Sequence, residues 1–490
     1  MNAAAIALNT TNLSRLDPAR IATPDYARED IRTGVLHLGP GAFHRAHQAD
    51  YFDQLLARDP RWGIAGVSLH SGAVAEALAA QDGLYTQAIL DEDIRYRVIG
   101  AVQAVIRSSD VRFRLLQSAP SIRLITLTIT EKGYCLRGDG RLDVDHPDIA
   151  ADLRSPRAPR SAIGWLVEAL RVRFDAGTSI PDILSCDNLS GNGDKLRQAV
   201  VDFAAAINRD LSLHIEDQVR FPNSMVDSIT PATDDALRER VAREAGVDDR
   251  WPIQREAFTS WVIEDAVSAD FPDLESVGAV MTPNVAAHER AKLRLLNGAH
   301  STLAYLGLGR GHASVAEAMN DPALGAVISE MMKQEIAPSI AAPSGLDLDD
   351  YRRSLLARFR NPSIVHKLSQ IAWDGSQKLP IRILGTIADN LKAGRSIARL
   401  SLGVAAWMRF VRRSAVEGAE ITDPMAAELK AIGRACRDEA RHDCALFFER
   451  TGIFPEALLR DHRFVNAVQS AYEQLTGDRA DAGFEKAVGL

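Results

Sequence analysis

A lysine, an asparagine and a histidine occur within nine residues in KLRLLNGAH, Lys292 to His300, which continues into STLAYLG. On an α-helix of about 100° per residue, Asn297 stands about 140° and His300 about 80° from Lys292, with Leu296 and Leu293 between at about 40° and 100°. Amphipathic helices ordinarily segregate polar from apolar positions. Three proton-handling groups sharing an arc with leucines are unfavourable unless partners or a ligand satisfy them. A core helix with a snorkelling lysine and a satisfied histidine fits the same spacing.

A second stretch has the geometry of a phosphate cradle. In GVLHLGPGAFHRAHQADYFDQLLA, Val35 to Leu38 reads as a short buried strand, Gly39-Pro40-Gly41 as a tight turn, and Ala42 to Ala57 as a helix. Glycines let a backbone approach a pyrophosphate, and a helix N-terminus stabilises its charge. Gly39, Gly41, Ala42, Phe43 and His44 are the expected cofactor contacts. The motif is GxGxxH, with His44 in the place of a third glycine, and a plain strand-to-helix turn would look alike. A second strand, Gly63 to Leu69, follows at the distance of a βαβ unit. The acid that would bind a ribose 2′-hydroxyl is not at its end: the region reads SLHSGAVAE, Glu76 is the first acid, and no arginine or lysine replaces it locally.

The elements that must position these groups follow. Strands are expected at Arg123–Thr130 and Ile183–Cys186, helices at Ile163–Phe174 and 194–208, and an extended segment at Pro222–Thr230. The alternation implies an α/β domain with a largely parallel sheet, whose ligands bind beyond the carboxyl ends of the strands. Asn188 and Asp227 are therefore candidate site residues; the alternatives are a turn-forming Asn and a surface Asp. From Thr282, a credible N-cap with Pro283 at N1, a long helix should run to about Gly307. Helices should follow at 313–319, 323–336, 349–359, 364–372, 380–393, 399–416, 424–440, 455–459 and 463–475. The expected organisation is a Rossmann-like α/β domain over 1–280 and a mostly α-helical domain over 281–490, with the site in the cleft between them.

Composition restricts the function. A chain of 490 residues is too long for one ordinary domain, and 46% hydrophobic with 25% charged residues is globular. A net charge of −8 and a pI near 5.9 argue against nucleic-acid binding. Four scattered cysteines form neither a disulfide framework nor a CxxC pair, so a reducing compartment and no metal are expected. No basic n-region precedes the apolar run at the N-terminus and no run spans a bilayer, so a cytoplasmic protein without membrane partners is expected.

Six motifs in order give the chain a family likeness: HLGPGAFHRAHQ (37–48), LTITEKGYC (127–135), SCDNLSGNG (185–193), FPNSMVDSITP (221–231), KLRLLNGAH (292–300) and DGSQKLP (374–380). With them the chain resembles the mannitol dehydrogenase family, the polyol-specific long-chain dehydrogenases, over nearly its whole length. The resemblance implies the two-domain plan of 6-phosphogluconate dehydrogenase, a nicotinamide cofactor (NAD, with NADP not excluded) and no metal. Lys292 would be the general base, Asn188 and Asn297 would hold the developing alkoxide, His300 would bind the reacting or adjacent oxygen, and Asp227 would support proton transfer. Thr128 would join the cofactor contacts, and Lys378 would reach the far end of the substrate.

Independently of the likeness, a hydride leaves a secondary alcohol only as its proton is removed, and desolvation among leucines lowers an ammonium's pKa towards the working pH. Amide donors stabilise an oxyanion without adding charge. Gln370 stands where the mannitol 2-dehydrogenase branch is expected to carry arginine. With His366, Gln370, Lys378 and Arg294 as substrate contacts, the chain looks more like fructuronate reductase, also called D-mannonate oxidoreductase; mannitol and other polyols are the alternatives. An NAD-binding sensor without turnover is the non-enzyme alternative, and a 6-phosphogluconate-like decarboxylating enzyme would need a basic phosphate pocket. A monomer or weak dimer is expected.

Overall fold

In Thr33–Leu38, TGVLHL, every residue after the first is buried, as a strand covered on both faces requires. It lies in the middle of a five-stranded parallel sheet in the order Val102–Arg107, Gly63–Ser68, Thr33–Leu38, Leu124–Leu127, Asp182–Ser185. The order reverses between Thr33–Leu38 and Leu124–Leu127, which opens a crevice at their carboxyl ends. In the computed structural model, residues 5–69, 72–364 and 366–476 are described. The chain divides into two compact units, Met1–Ala286 and Ala287–Leu490.

The first unit is Rossmann-like but not purely parallel. Tyr85–Leu90 pairs antiparallel with Arg95–Ile99 and parallel with Ile253–Glu256, and Ser224–Asp227 pairs antiparallel with Ser260–Glu264. The helix expected over Ala42–Ala57 is two helices, Ala42–Ala46 and Gln48–Leu55, broken at His47 with φ −117° and ψ −82°. The break lets His47 Nε2 reach the Ser260 carbonyl at 2.9 Å while its ring stacks on Phe43. A buried ion cluster ties the second helix to neighbouring strands: Arg97 meets Asp50 at 2.9 Å and Asp53 at 2.6 Å, and Arg255 meets Asp50 at 3.1 Å. Thr282 ends a short strand and accepts from the Asn284 N–H at 3.2 Å, so the next helix starts at Val285, later than the cap assignment placed it.

The second unit is helical, and three of its helices contain π segments: Lys292–Gly298, Met332–Ile336 and Pro380–Leu384. Helix is continuous from Val285–Ala291 through Lys292–Gly298 to Ala299–Gly309. The helix expected at 364–372 shrinks to Leu368–Ile371, and Val365 lies outside the described residues. The one expected at 424–440 ends at Ala435, and a separate helix, Ala440–Arg450, follows. Asp443 causes the break by accepting the N–H groups of Arg437 and Asp438, the latter at φ +68°. Among the described residues no helix is long and apolar enough to cross a membrane.

Candidate active site

In the first unit, a cavity of about 550 Å³ opens at the carboxyl ends of the central strands, lined by Gly39, Gly41, Ser68, Thr128, Thr130 and Lys132 among others. Gly39 is required there: its φ is +89°, and a Cβ would run into the Thr128 carbonyl oxygen. Gly41 is open instead, with φ −73°, and a Cβ would meet only the Gly39 carbonyl at 3.8 Å. It would project into free space beside the cavity. These features fit a group that brings phosphates close to backbone.

Of the other expected cofactor contacts, Thr128 lines the cavity and donates to the Gly39 carbonyl at 2.7 Å, whereas Ala42, Phe43 and His44 do not line it. The His44 ring is completely buried, stacked on His37 with centroids 3.4 Å apart, and among the described residues neither of its nitrogens has a hydrogen-bond partner. Burial depresses the pKa of both: His37 to about 3, His44 well below the usual histidine value. Neutral His37 bridges Thr126 Oγ1 at 2.7 Å and the Gly39 carbonyl at 3.1 Å, supporting the turn from below. Any ligand contact of His44 is therefore confined to its backbone.

The cofactor-discriminating position also differs from the sequence expectation. His70 and Ser71 lie outside the described residues, but Arg107, level with Ser68 on the adjacent strand, pairs with Glu76. A Cβ on Gly72 would collide with its guanidinium. The adjacent strand thus brings level with Ser68 an arginine that the local sequence lacks.

Asp187 organises the neighbouring loops, a role that attention to Asn188 passed over. Its buried carboxylate accepts the Ile129 and Thr130 N–H groups at 3.0 and 2.8 Å and the Tyr134 hydroxyl at 2.8 Å. Thr130 is held at φ +65°, ψ 161°, a conformation that needs such support. Burial pushes the Asp187 carboxyl pKa up. Asn192 Nδ2 donates to the carbonyls of Ser185, Asp187 and Ser224 at 3.2, 3.1 and 2.9 Å, pinning the start of Ser224–Asp227 to the end of Asp182–Ser185. Exposed Asn188 and buried Asp227 thus ride on two segments stitched together, and Asp227 is not a surface residue.

In the second unit, Lys292 and Asn297 open and nearly close a π segment. Its i→i+5 hydrogen bonding widens the turn, so positions five apart, such as these two, stand closer together around the axis than on an α-helix. Gly298 allows this segment to touch another: a Cβ there would come within 2.9 Å of the Arg382 carbonyl on Pro380–Leu384.

His300 is buried and stacked on Phe359 with centroids at 4.2 Å; the His366 ring meets it edge-on at 5.3 Å. His300 Nε2 and His366 Nδ1 are buried and have no hydrogen-bond partners among the described residues. Burial holds both below the usual histidine pKa, so both are neutral near pH 7. Half-buried Lys378 donates to the Ile371 carbonyl at 3.3 Å, and burial, then nearby Arg382, lowers its pKa. The turn before it is fixed by Asp374 at φ +56° and by Gly375, where a Cβ would clash with Trp407 and the Tyr305 hydroxyl.

Gln370 is exposed on the short helix beside this turn. Arg294, expected at the substrate, is instead engaged in the framework, donating to the Ser339 carbonyl at 2.9 Å and pairing with Asp389 at 2.5 Å. Among the described residues no three His, Cys, Asp or Glu side chains group as metal ligands would.

The comparisons agree across both units. Residues 33–276 match the mannitol dehydrogenase Rossmann domain and 284–476 the mannitol dehydrogenase C-terminal domain. The chain belongs to the mannitol dehydrogenase family. It is thereby an oxidoreductase acting on CH–OH groups of polyols or sugar acids.

Within the family it is 40% identical to the D-mannonate oxidoreductase of Escherichia coli (strain K12), over 93% of this chain and 96% of the relative. It is 37% identical to a mannitol 2-dehydrogenase of Phaeosphaeria nodorum, over 98% and 85%. Among solved structures, a substrate-free D-sorbitol dehydrogenase matches with a TM-score of 0.90 at 30% identity, covering 99% of this chain and 100% of that one. The Pseudomonas fluorescens mannitol 2-dehydrogenase, in ternary complex with NAD and D-mannitol, matches with a TM-score of 0.81 at 36% identity, covering 99% of each.

Proposed function

We propose that this protein is an NAD-dependent dehydrogenase interconverting D-mannonate and D-fructuronate. The observation carrying the substrate is the 40% identity, over nearly both full lengths, to the E. coli D-mannonate oxidoreductase. The cationic surroundings of His300, on which Arg358 and Arg382 act, and of Lys378, on which Arg382 also acts, suit a substrate that carries a carboxylate. For the cofactor, the support is the glycine turn at the strand ends and the NAD in the P. fluorescens relative.

In this reading Gly39, Gly41 and Thr128 hold NAD, which supplies a hydride acceptor when bound. Lys292 removes the hydroxyl proton as the alcohol is oxidised and returns it during reduction. Asn297 and Asn188 donate amide hydrogens to the developing alkoxide. Neutral His300 hydrogen-bonds the reacting or adjacent oxygen without adding charge to it. Asp227 supports the proton transfer, and His366, Gln370 and Lys378 face the rest of the sugar acid.

The test is the rate of NADH oxidation with D-fructuronate against D-fructose, with a parallel NADPH arm because Arg107 pairs with Glu76 near the strand end. D-fructuronate with NADH should be reduced fastest. Preference for D-fructose would favour the mannitol 2-dehydrogenase reading, which the 37% identity to the P. nodorum enzyme supports. NADH binding without turnover of any polyol or aldonate would leave a sensor.

A further inference from the structure

Arg382 belongs to none of the motifs that identify the family, yet it lies near His300 and Lys378, to which the proposed function gives the substrate. It sits on the π segment Pro380–Leu384, four residues after Lys378. Its Nη1 donates to Ser301 Oγ at 3.1 Å, one residue beyond His300. Its backbone meets the segment carrying Lys292 and Asn297 at Gly298. Its charge acts on both His300 and Lys378, lowering the pKa of each, and burial lowers its own.

Among the described residues Arg382 forms no ion pair, although Asp374 and Asp423 are near enough to act on Lys378. Asp423 accepts from Ser376 N–H and Oγ instead, at 2.9 and 2.6 Å. A largely buried cation without a carboxylate partner is unfavourable in the free protein, and that unfavourable term is relieved when a ligand brings an anion. A planar guanidinium suits a carboxylate better than an ammonium does, because two parallel N–H groups meet two oxygens. In D-mannonate the carboxylate is at the opposite end of the six-carbon chain from the reacting alcohol.

Building on the D-mannonate reading, we propose that Arg382 is the specificity-determining group of this site: its guanidinium takes the carboxylate of the sugar acid, with Lys378 beside it. Mannitol, which has a hydroxymethyl group in that place, gains nothing from the charge.

The test uses full-length Arg382→Gln and Arg382→Lys with bound NADH or NAD, after confirming unchanged Tm and NADH affinity. For Arg382→Gln, the KM for D-fructuronate should rise at least tenfold with kcat within about threefold, and Arg382→Lys should recover part of the loss. Calorimetric binding of D-mannonate to the NAD complex should weaken in parallel, while D-mannitol binding stays as in the wild type. Equal losses for mannonate and mannitol, or none for mannonate, would overturn the assignment. The calorimetric arm separates the two claims. Wild-type enzyme that binds mannonate through Arg382 but turns over only mannitol refutes the D-mannonate activity alone. Wild-type enzyme that does not bind mannonate refutes the carboxylate subsite as well.

Discussion

Replacing Gly298 with alanine isolates the contact between the two π segments. An added Cβ would lie 2.9 Å from the Arg382 carbonyl, about 0.5 Å inside ordinary contact at 3.4 Å, and the obstacle is backbone that cannot rotate away. Overpacking of this kind costs about 1–3 kcal/mol. Alanine returns up to about 1 kcal/mol of helix propensity, so the net destabilisation is about 0–2 kcal/mol. For a unit of this size that lowers Tm by at most about 8 °C.

Activity should suffer more. If the strain moves Lys292 and Asn297 by about half the displacement, 1 Å, that can cost 10²-fold, kcat falls by about tenfold. Gly298 carries no side chain to contribute chemistry, so such a loss can arise only through position. The assay is steady-state kinetics beside thermal unfolding and NADH binding, with NADH affinity held. Turnover within twofold of wild type, at unchanged Tm, would refute the idea that the packed π segments set the geometry.

Lys292→Ala should lower kcat by about 10²–10⁴-fold with NADH binding retained; near-normal turnover would remove it from the proton-transfer role. Gly41→Ala should weaken NADH binding by about tenfold, roughly 1.4 kcal/mol, without unfolding, since φ −73° suits alanine; unchanged affinity in a fluorescence titration would place the pyrophosphate elsewhere. Gln370→Arg, at an exposed position, should shift preference towards mannitol at unchanged Tm, and an unaltered substrate profile would discount it as a determinant. Buried His37 and His44 have folded-state pKa values below the unfolded value, so the unfolded chain takes up protons that the native state refuses. Stability is therefore lost as pH falls below about 6.5, down towards the folded pKa of about 3 for His37. His44→Leu should lose about 2 kcal/mol less than wild type between pH 7 and 5, and equal losses in chemical denaturation would contradict neutral burial.

Much of the site was readable because its motifs sit at strand ends and turns, where residue type is dictated locally. Gly39 had to be glycine, and its neighbours announced the turn. Asn188 and Asp227 followed from the rule that ligands lie beyond carboxyl strand ends. Asp187, one residue earlier, was not readable: its importance comes from Ile129, Thr130 and Tyr134, more than fifty residues away. Arg107 was missed for the same reason, since only strand pairing sets it level with Ser68. The helix-face arithmetic failed at Lys292 and Asn297 because it assumed a uniform α-helix.

The sequence alone determined the order of elements, the glycine turn, the family and the kinds of group available for hydride-transfer chemistry. Those depend on local sterics and on residue identity, which are written in the chain. Tertiary structure decided how the groups are presented. The close approach of Gly298 to the Arg382 carbonyl joins two π segments far apart in sequence, and no local propensity encodes that contact. The burial that keeps His300 neutral, and the placing of Arg382 where it forms no ion pair among the described residues, arise from segments distant in sequence packing together.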